Sequence, residues 1–170
     1  MSESTTFRPR SSKGWLWLAL LGFMLILLTT FPALITPDEP LSGVSIPGLL
    51  IGWGIGIPCL LLAFWFPSMR YELQPEELVL IYGPLKLYRV PYKDIKKMTW
   101  QDLQISLLSS FRLPGFALFT VPYGDEGSVK MVSTSAANRI LLIKTAKETY
   151  GITPADEEGF IAVMKERIRS

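Results

Sequence analysis

The chain has 170 residues, a net charge of +2, one cysteine and no histidine. The lack of histidine removes the commonest metal ligand and the commonest general base, and a lone Cys59 excludes an intrachain disulfide. So small a net charge indicates no particular partner, and the placement of the charges is more informative.

The N-terminal segment is polar. Residues 1–10 are rich in serine and threonine and show no periodicity, so we expect this stretch by itself to be disordered. We therefore assign residues 1–13 to an N-terminal tail.

Two long apolar runs follow the tail, at residues 15–35 and 46–66. An α-helix rises about 1.5 Å per residue, so roughly 20 apolar residues cross a hydrocarbon core of about 30 Å. The Pro-rich stretch 36–45 is too short for anything but a turn, and it holds Asp38 and Glu39, the charged residues of this region. We predict a transmembrane helical hairpin over residues 14–68, with helices at about 14–35 and 46–66.

Two alternatives to the hairpin are less consistent with the sequence. A cleaved signal peptide has a shorter apolar region and would not be followed at once by a second apolar run. A buried helical pair in a soluble core would need a polar face on each helix, and neither run has one.

The charges that flank the hairpin predict its orientation. Arg8, Arg10 and Lys13 precede the first run and Arg70 follows the second, whereas the turn is acidic. Basic flanks remain in the cytoplasm, so we predict a multi-pass protein of the cell inner membrane with both termini cytoplasmic. The expected anchors at the membrane interface are the flanking indoles and the first basic residue after the hairpin, namely Trp15, Trp17, Trp65 and Arg70.

Glycine recurs every four residues in the second apolar run, at Gly48, Gly52 and Gly56. Small residues at this spacing allow another helix to approach closely within lipid. Two interpretations remain open: Ala19 and Gly22 of the first run fill this groove within the hairpin, or the groove docks onto another integral membrane protein. Because neither run contains an ionisable residue, we do not expect transport by this chain alone.

From residue 69 onward the pattern changes to short alternating segments, which predict about seven strands. A single amphipathic helix follows, for which we expect Thr153 as the N-cap, Pro154 at the first helical position and Phe160 and Met164 on the apolar face.

This order of strands and helix resembles the bacterial pleckstrin-homology-like (PH-like) family over residues 69–170. The segments that carry the resemblance are short motifs in a fixed order, at 71–73, 78–80, 90–95, 112–116, 140–145 and 150–154. The resemblance implies an α+β membrane protein in which the hairpin precedes a cytoplasmic PH-like domain. It also implies that this domain is a seven-stranded β-barrel or sandwich capped by the C-terminal α-helix, without catalytic activity. Lipid-binding relatives carry a basic cluster in the first hairpin loop, whereas the loop at residues 75–77 is acidic, which argues against phosphoinositide binding.

Two further surfaces are candidates for contact with lipid or a partner. Basic residues are denser around 86–97 than elsewhere, and residues 103–111 are apolar for a loop. The basic region could equally be a solvated surface, and the loop could cover the open edge of the barrel. The candidate contact residues are Lys93, Lys96, Lys97, Trp100, Leu107, Leu108, Phe111 and Arg112.

No catalytic set is evident in the sequence. The loop carboxylates at Asp94, Asp102, Asp125 and Glu126 fit turn or cap roles, and the sequence has neither a nucleophile elbow nor a phosphate-binding glycine loop. Acidic residues are interspersed among the basic ones, so we do not expect nucleic-acid binding. The sequence therefore predicts a non-catalytic protein without cofactor or metal. It would act as an accessory or scaffolding subunit that packs on a larger integral membrane complex; the alternative is a membrane-tethered sensor of lipid headgroups or peptides.

Overall fold

The computed structural model describes residues 4–35, 46–104, 112–124 and 126–169. These residues form two compact units. One, here called the helical unit, is Gly14–Phe64, and the other, the sheet unit, comprises the described residues up to Lys13 and from Trp65 onward.

The helical unit contains two α-helices, α1 (Gly14–Ile35) and the larger part of α2 (Ile46–Trp65). Both helices are long and apolar enough to cross a membrane, by the criteria of length and composition. Helix α2 continues through Pro58 as far as Trp65, and a single 3-10 turn, Phe66–Ser68, leads from it into the sheet unit.

The sheet unit contains two sheets. The first has the order β1-β2-β3-β4, and the second has the order β5-β9-β10-β8-β7-β6, in which β10 runs parallel to β8. The strands are β1 (Thr5–Phe7), β2 (Arg70–Leu73), β3 (Glu77–Tyr82), β4 (Leu85–Pro91), β5 (Ile95–Gln101), β6 (Arg112–Leu113), β7 (Phe116–Tyr123), β8 (Gly127–Ser133), β9 (Ile140–Thr145) and β10 (Thr149–Ile152).

The two sheets do not close into a barrel, which is one of the two forms that we predicted for this domain, the other being a sandwich. Strands β4 and β5 are consecutive in the chain, but a 3-10 turn at Tyr92–Asp94 separates them and they belong to different sheets. At the other edge of the first sheet, β1 occupies the free side of β2. Because the edge of β2 is already paired, it is not available to hydrogen-bond to the second sheet.

The core of the sheet unit lies on the inner faces of the strands. Strand β3 is buried along almost its whole length, and a cluster that includes Val121, Met131, Ile140 and Leu142 is fully buried in the second sheet. Fully burying an aliphatic or aromatic side chain contributes about 1.5–3 kcal/mol. Such strands therefore provide most of the stability of this unit.

The C-terminal helix, α3 (Glu157–Arg169), buries Phe160 and Met164, as its apolar pattern predicts. Its start differs from the prediction, because Asp156, not Thr153, acts as the N-cap: its Oδ1 accepts the backbone N–H of Gly159 at 2.9 Å. The Thr153 hydroxyl is fully buried and accepts the backbone N–H of Thr134 at 3.0 Å. That side chain is therefore occupied within the core and cannot cap the helix.

The tail, which we expect to be disordered by itself, is ordered in the folded chain over the part that the structure describes. Strand β1 is antiparallel to β2, with Phe7 opposite Tyr71. Beyond the strand, the backbone N–H of Arg10 donates to the carbonyl of Thr153 at 2.8 Å. The Phe7 ring also lies edge-on to Phe160 of α3, with centroids 5.3 Å apart. The partners of the tail are distant in the same chain, so its own composition gives no sign of them.

Candidate interaction surfaces

The two helices of the helical unit pack through their small residues. A Cβ atom added at Gly22 would lie 2.7 Å from the carbonyl oxygen of Gly56, and one at Gly56 would lie 2.6 Å from Cγ1 of Ile26. A Cβ at Gly52 would overlap the side chain of Thr29. Gly22, Gly52 and Gly56 therefore form a close contact between α1 and α2, which is the first of the two interpretations left open by the sequence.

The remaining small residues of the predicted interface are placed differently. Gly48 and Ala19 are half-buried. Gly54, on the opposite side of α2 from Gly52, has no described atom within 4 Å of the position that a Cβ would take. The face of α2 that carries Gly54 is therefore not used by α1.

The predicted membrane anchors fall into two groups. Trp15 and Trp17 are exposed on α1. Trp65 instead packs against Gly83 within the sheet unit, because a Cβ atom added at Gly83 would lie 2.6 Å from Cγ of Trp65. The backbone angle φ of Gly83 is +60°. That backbone conformation and that close approach both favour glycine at this position of the β3–β4 turn, which packs against Trp65. Arg70 also has a partner in this unit, since its Nε lies 2.9 Å from Glu72 Oε1.

Basic side chains from two distant parts of the sheet unit line one small groove. Lys96 and Lys97 belong to β5, and Lys165 and Arg169 belong to α3. The groove has a volume of about 210 Å³, and its other lining residues are Ile95, Met98 and Ile168. We call it the cation groove. Both basic segments are visible in the sequence. There, the helix dipole is a sufficient explanation for the basic residues at the end of α3. Only the structure shows that they lie close to β5.

A larger neighbouring cleft of about 780 Å³ has mixed charge. Its lining includes Lys93 and Arg167, together with Glu76 of the loop between β2 and β3 and Glu77 at the start of β3. Tyr92 also lines it, and its hydroxyl donates to the carbonyl of Gln74 at 2.7 Å. Burial raises the pKa of Tyr92 to about 12, so this hydroxyl stays protonated at neutral pH.

A third cleft, of about 330 Å³, lies between β4 and the β9–β10 turn and includes Glu148 and Tyr150 in its lining. Lys130 forms an ion pair with Glu148, and its Nζ lies 5.3 Å from the ring centroid of Tyr88. The hydrogen bond from Lys130, together with a second one from Tyr150, lowers the pKa of Glu148. Burial, chiefly, raises the pKa of Tyr150. The polar groups of these three side chains are therefore paired with one another: Glu148 accepts hydrogen bonds from both Lys130 and Tyr150.

The structure describes the other predicted contact residues only in part. Trp100 is half-buried in β5 opposite Leu141. For Arg112 the structure describes the backbone, which pairs with Ala117 as part of β6. Three further residues lie outside the described residues, namely Leu107, Leu108 and Phe111.

Comparison with known proteins identifies a protein family. A family model described as "Bacterial PH domain" matches residues 69–168. No curated protein and no solved structure matches the chain. The matched region begins just before β2 and ends within α3, so it covers more than half of the chain and leaves out the tail and both apolar helices.

Proposed function

The chain belongs to the bacterial PH domain family, and from that premise we propose that it is a membrane-anchored, non-catalytic accessory or scaffolding subunit of a larger integral membrane complex. Membership of the family suggests a module for protein interaction or lipid binding. The two apolar helices would anchor that module in the bilayer.

The observation that carries the membrane topology of this proposal is the pairing of β1 with β2. The tail leads into α1 at Gly14, and α2 leads into β2 through Trp65. Since tail and domain are parts of one folded unit, a helical segment between them that enters the membrane has to return to the side from which it started. This supports two crossings with both termini on one side. The basic residues Arg8, Arg10 and Lys13 favour the cytoplasm as that side, and thus the inner membrane.

The packing of the hairpin restricts where a partner helix could dock. Gly52 and Gly56 already contact α1, so in this proposal the partner contacts the opposite face of α2. That face carries Gly54 together with the exposed side chains of Leu50 and Ile57. Gly54 would allow a close approach there.

Gentle extraction of the full-length protein tests the proposal. We expect the tagged chain, solubilised in digitonin, to elute with a larger integral membrane protein that mass spectrometry identifies. Gly54→Leu should release that protein because the added side chain blocks the approach, whereas the matched control Gly54→Ala should retain it. Elution of the wild-type chain alone would refute the subunit role, and retention of the partner by Gly54→Leu would refute this docking face.

A second candidate function is a membrane-tethered sensor of lipid headgroups or peptides. The specific observation in its favour is the cation groove, in which basic residues of β5 and α3 converge. A sensor would keep its function after Gly54→Leu and lose it when the groove is neutralised, whereas the subunit proposal predicts the reverse.

A further inference from the structure

The cation groove combines side chains that are about 70 residues apart in sequence. Lys96 and Lys97 lie near the start of β5, an edge strand of the second sheet, and Lys165 and Arg169 lie in the last turns of α3. All four side chains are exposed. Each pair alone would be an ordinary surface feature, and their convergence is what requires an explanation.

A β-bulge explains how two consecutive lysines line the same groove. Side chains in a regular strand alternate between the two faces of the sheet, so neighbours point apart. The register between β5 and β9 shifts between Ile95 and Lys97, which pair with Thr145 and Lys144. Lys96 is therefore the extra residue of the bulge, and bulges of this kind re-aim side chains.

The four cations of the groove are not offset by carboxylates. Within the described residues, none of the four forms an ion pair, and no acidic residue lines the groove. Five ion pairs neutralise other basic residues of the unit: Arg70–Glu72, Arg89–Glu77, Lys130–Glu148, Arg139–Glu157 and Lys144–Glu126. The groove therefore brings together four positive charges with no carboxylate in its lining.

Two simpler explanations account for only half of the groove each. The negative end of the α3 dipole stabilises Lys165 and Arg169, but it does not concern β5. Lysines on an edge strand discourage pairing with another sheet, which would explain Lys96 and Lys97 but not the basic residues of α3. Neither explanation requires the two sets to share one groove.

We propose that the cation groove binds a phosphate group, supplied by the headgroup of an anionic lipid or by a soluble phosphate compound. Lysine provides point charges for phosphate, and the guanidinium of Arg169 can donate two parallel hydrogen bonds to its oxygens. The volume of about 210 Å³ is below the roughly 300–1,000 Å³ of clefts for drug-sized ligands, so it suits a single headgroup. Ile95, Met98 and Ile168 provide an apolar margin beside the charges.

This proposal does not depend on the accessory role. The groove would bind phosphate whether or not the helices dock onto another protein. A failure to find a partner complex would therefore not contradict phosphate binding by the groove. A failure of phosphate binding would not contradict the subunit proposal.

Native mass spectrometry of the full chain in a non-ionic detergent tests the groove. The probes are phosphatidylglycerol, phosphatidylcholine and soluble glycerol 3-phosphate, each titrated separately. The variant is Lys96→Gln with Lys165→Gln, which removes one charge from each side of the groove. The matched control is Lys86→Gln with Lys147→Gln, which removes two exposed charges outside it.

We expect the groove variant to bind the phosphate probe roughly tenfold more weakly than the wild type, with the control unchanged. Binding of phosphatidylglycerol but not of glycerol 3-phosphate would identify a lipid as the source, and binding of glycerol 3-phosphate but not of phosphatidylglycerol would identify a soluble compound. The proposal is overturned if the two charge variants lose affinity equally. It is also overturned if phosphatidylglycerol and glycerol 3-phosphate bind no more tightly than phosphatidylcholine.

Discussion

The hydroxyl of Tyr71 accepts the backbone N–H of Thr153 at 3.2 Å, and the two residues are 82 positions apart in the chain. The same hydroxyl donates to the carbonyl of Val132 at 2.7 Å. Tyr71 belongs to β2 in the first sheet, whereas Val132 belongs to β8 in the second, and Thr153 follows β10. One fully buried phenol therefore connects the two sheets and the segment that leads into α3.

Replacement of Tyr71 by phenylalanine should destabilise the sheet unit. The variant keeps the ring but leaves a buried N–H and a buried carbonyl without their partner, which costs about 1–3 kcal/mol for each such group. Thermal unfolding of the full chain in detergent, followed by near-ultraviolet circular dichroism, measures the loss. Tyr92→Phe is the comparison, because its hydroxyl serves the single carbonyl of Gln74. An equal loss in the two variants would contradict the bridging role of Tyr71.

The stability of the sheet unit should fall as the pH rises above about 10. Burial raises the pKa of Tyr71 to about 12, from an ordinary value of 10.0. A group whose pKa is higher in the folded state stabilises that state fully below the pKa of the unfolded chain, and this contribution is lost as the pH rises through the folded value. The loss should therefore develop between about pH 10 and 12. Unfolding curves at successive pH values measure it.

Tyr71→Phe separates this residue from the other buried tyrosines, whose pKa values are also raised. The variant should be less stable at neutral pH but should show a shallower alkaline decline than the wild type. Parallel declines in the two proteins would show that the titration of Tyr71 has no part in it.

Replacement of Phe7 by alanine should release the N-terminal tail. Phe7 packs edge-on against Phe160 of α3, and an aromatic pair contributes about 0.5–1.5 kcal/mol beyond the area that it buries. Strand β1 has three residues, and the tail beyond it is held by backbone hydrogen bonds at Arg8 and Arg10, so we expect the release to be greatest in β1. Hydrogen exchange of the backbone amides in the tail measures the release. Thr6→Ala is the matched control, since Thr6 is an exposed residue of the same strand, and faster exchange of the tail in both variants would argue against Phe7 as the anchor.

Several features of the fold followed from local sequence patterns. The order of two apolar helices, a β-rich region and a C-terminal amphipathic helix is confirmed, and so is the bacterial PH domain family. Each of these features depends on residues that are close together in the chain, such as an unbroken apolar run or two apolar residues four positions apart, Phe160 and Met164. Local patterns of this kind are visible without knowledge of the fold.

Three features were mispredicted or missed because they depend on residues that are distant in sequence. The tail looks disordered by composition, but β2 and α3 supply the partners that order it. Thr153 has the chemistry of an N-cap, but the backbone of Thr134 binds its hydroxyl, so Asp156 takes that role. The cation groove arises from β5 and α3 together, and its basic residues gave no local sign of a common site.

The sequence by itself determined that this protein has two helices apolar enough for lipid, followed by strands and a C-terminal amphipathic helix, because hydrophobic length and periodicity are properties of neighbouring residues. The PH-like family came from the resemblance of short motifs in a fixed order. Only the tertiary structure decided that the strands remain two sheets, that Gly22, Gly52 and Gly56 serve the contact between α1 and α2, and that unpaired cations from β5 and α3 meet. The reason is that edge pairing, close packing and charge neutralisation depend on which distant groups the fold brings within a few ångströms of each other.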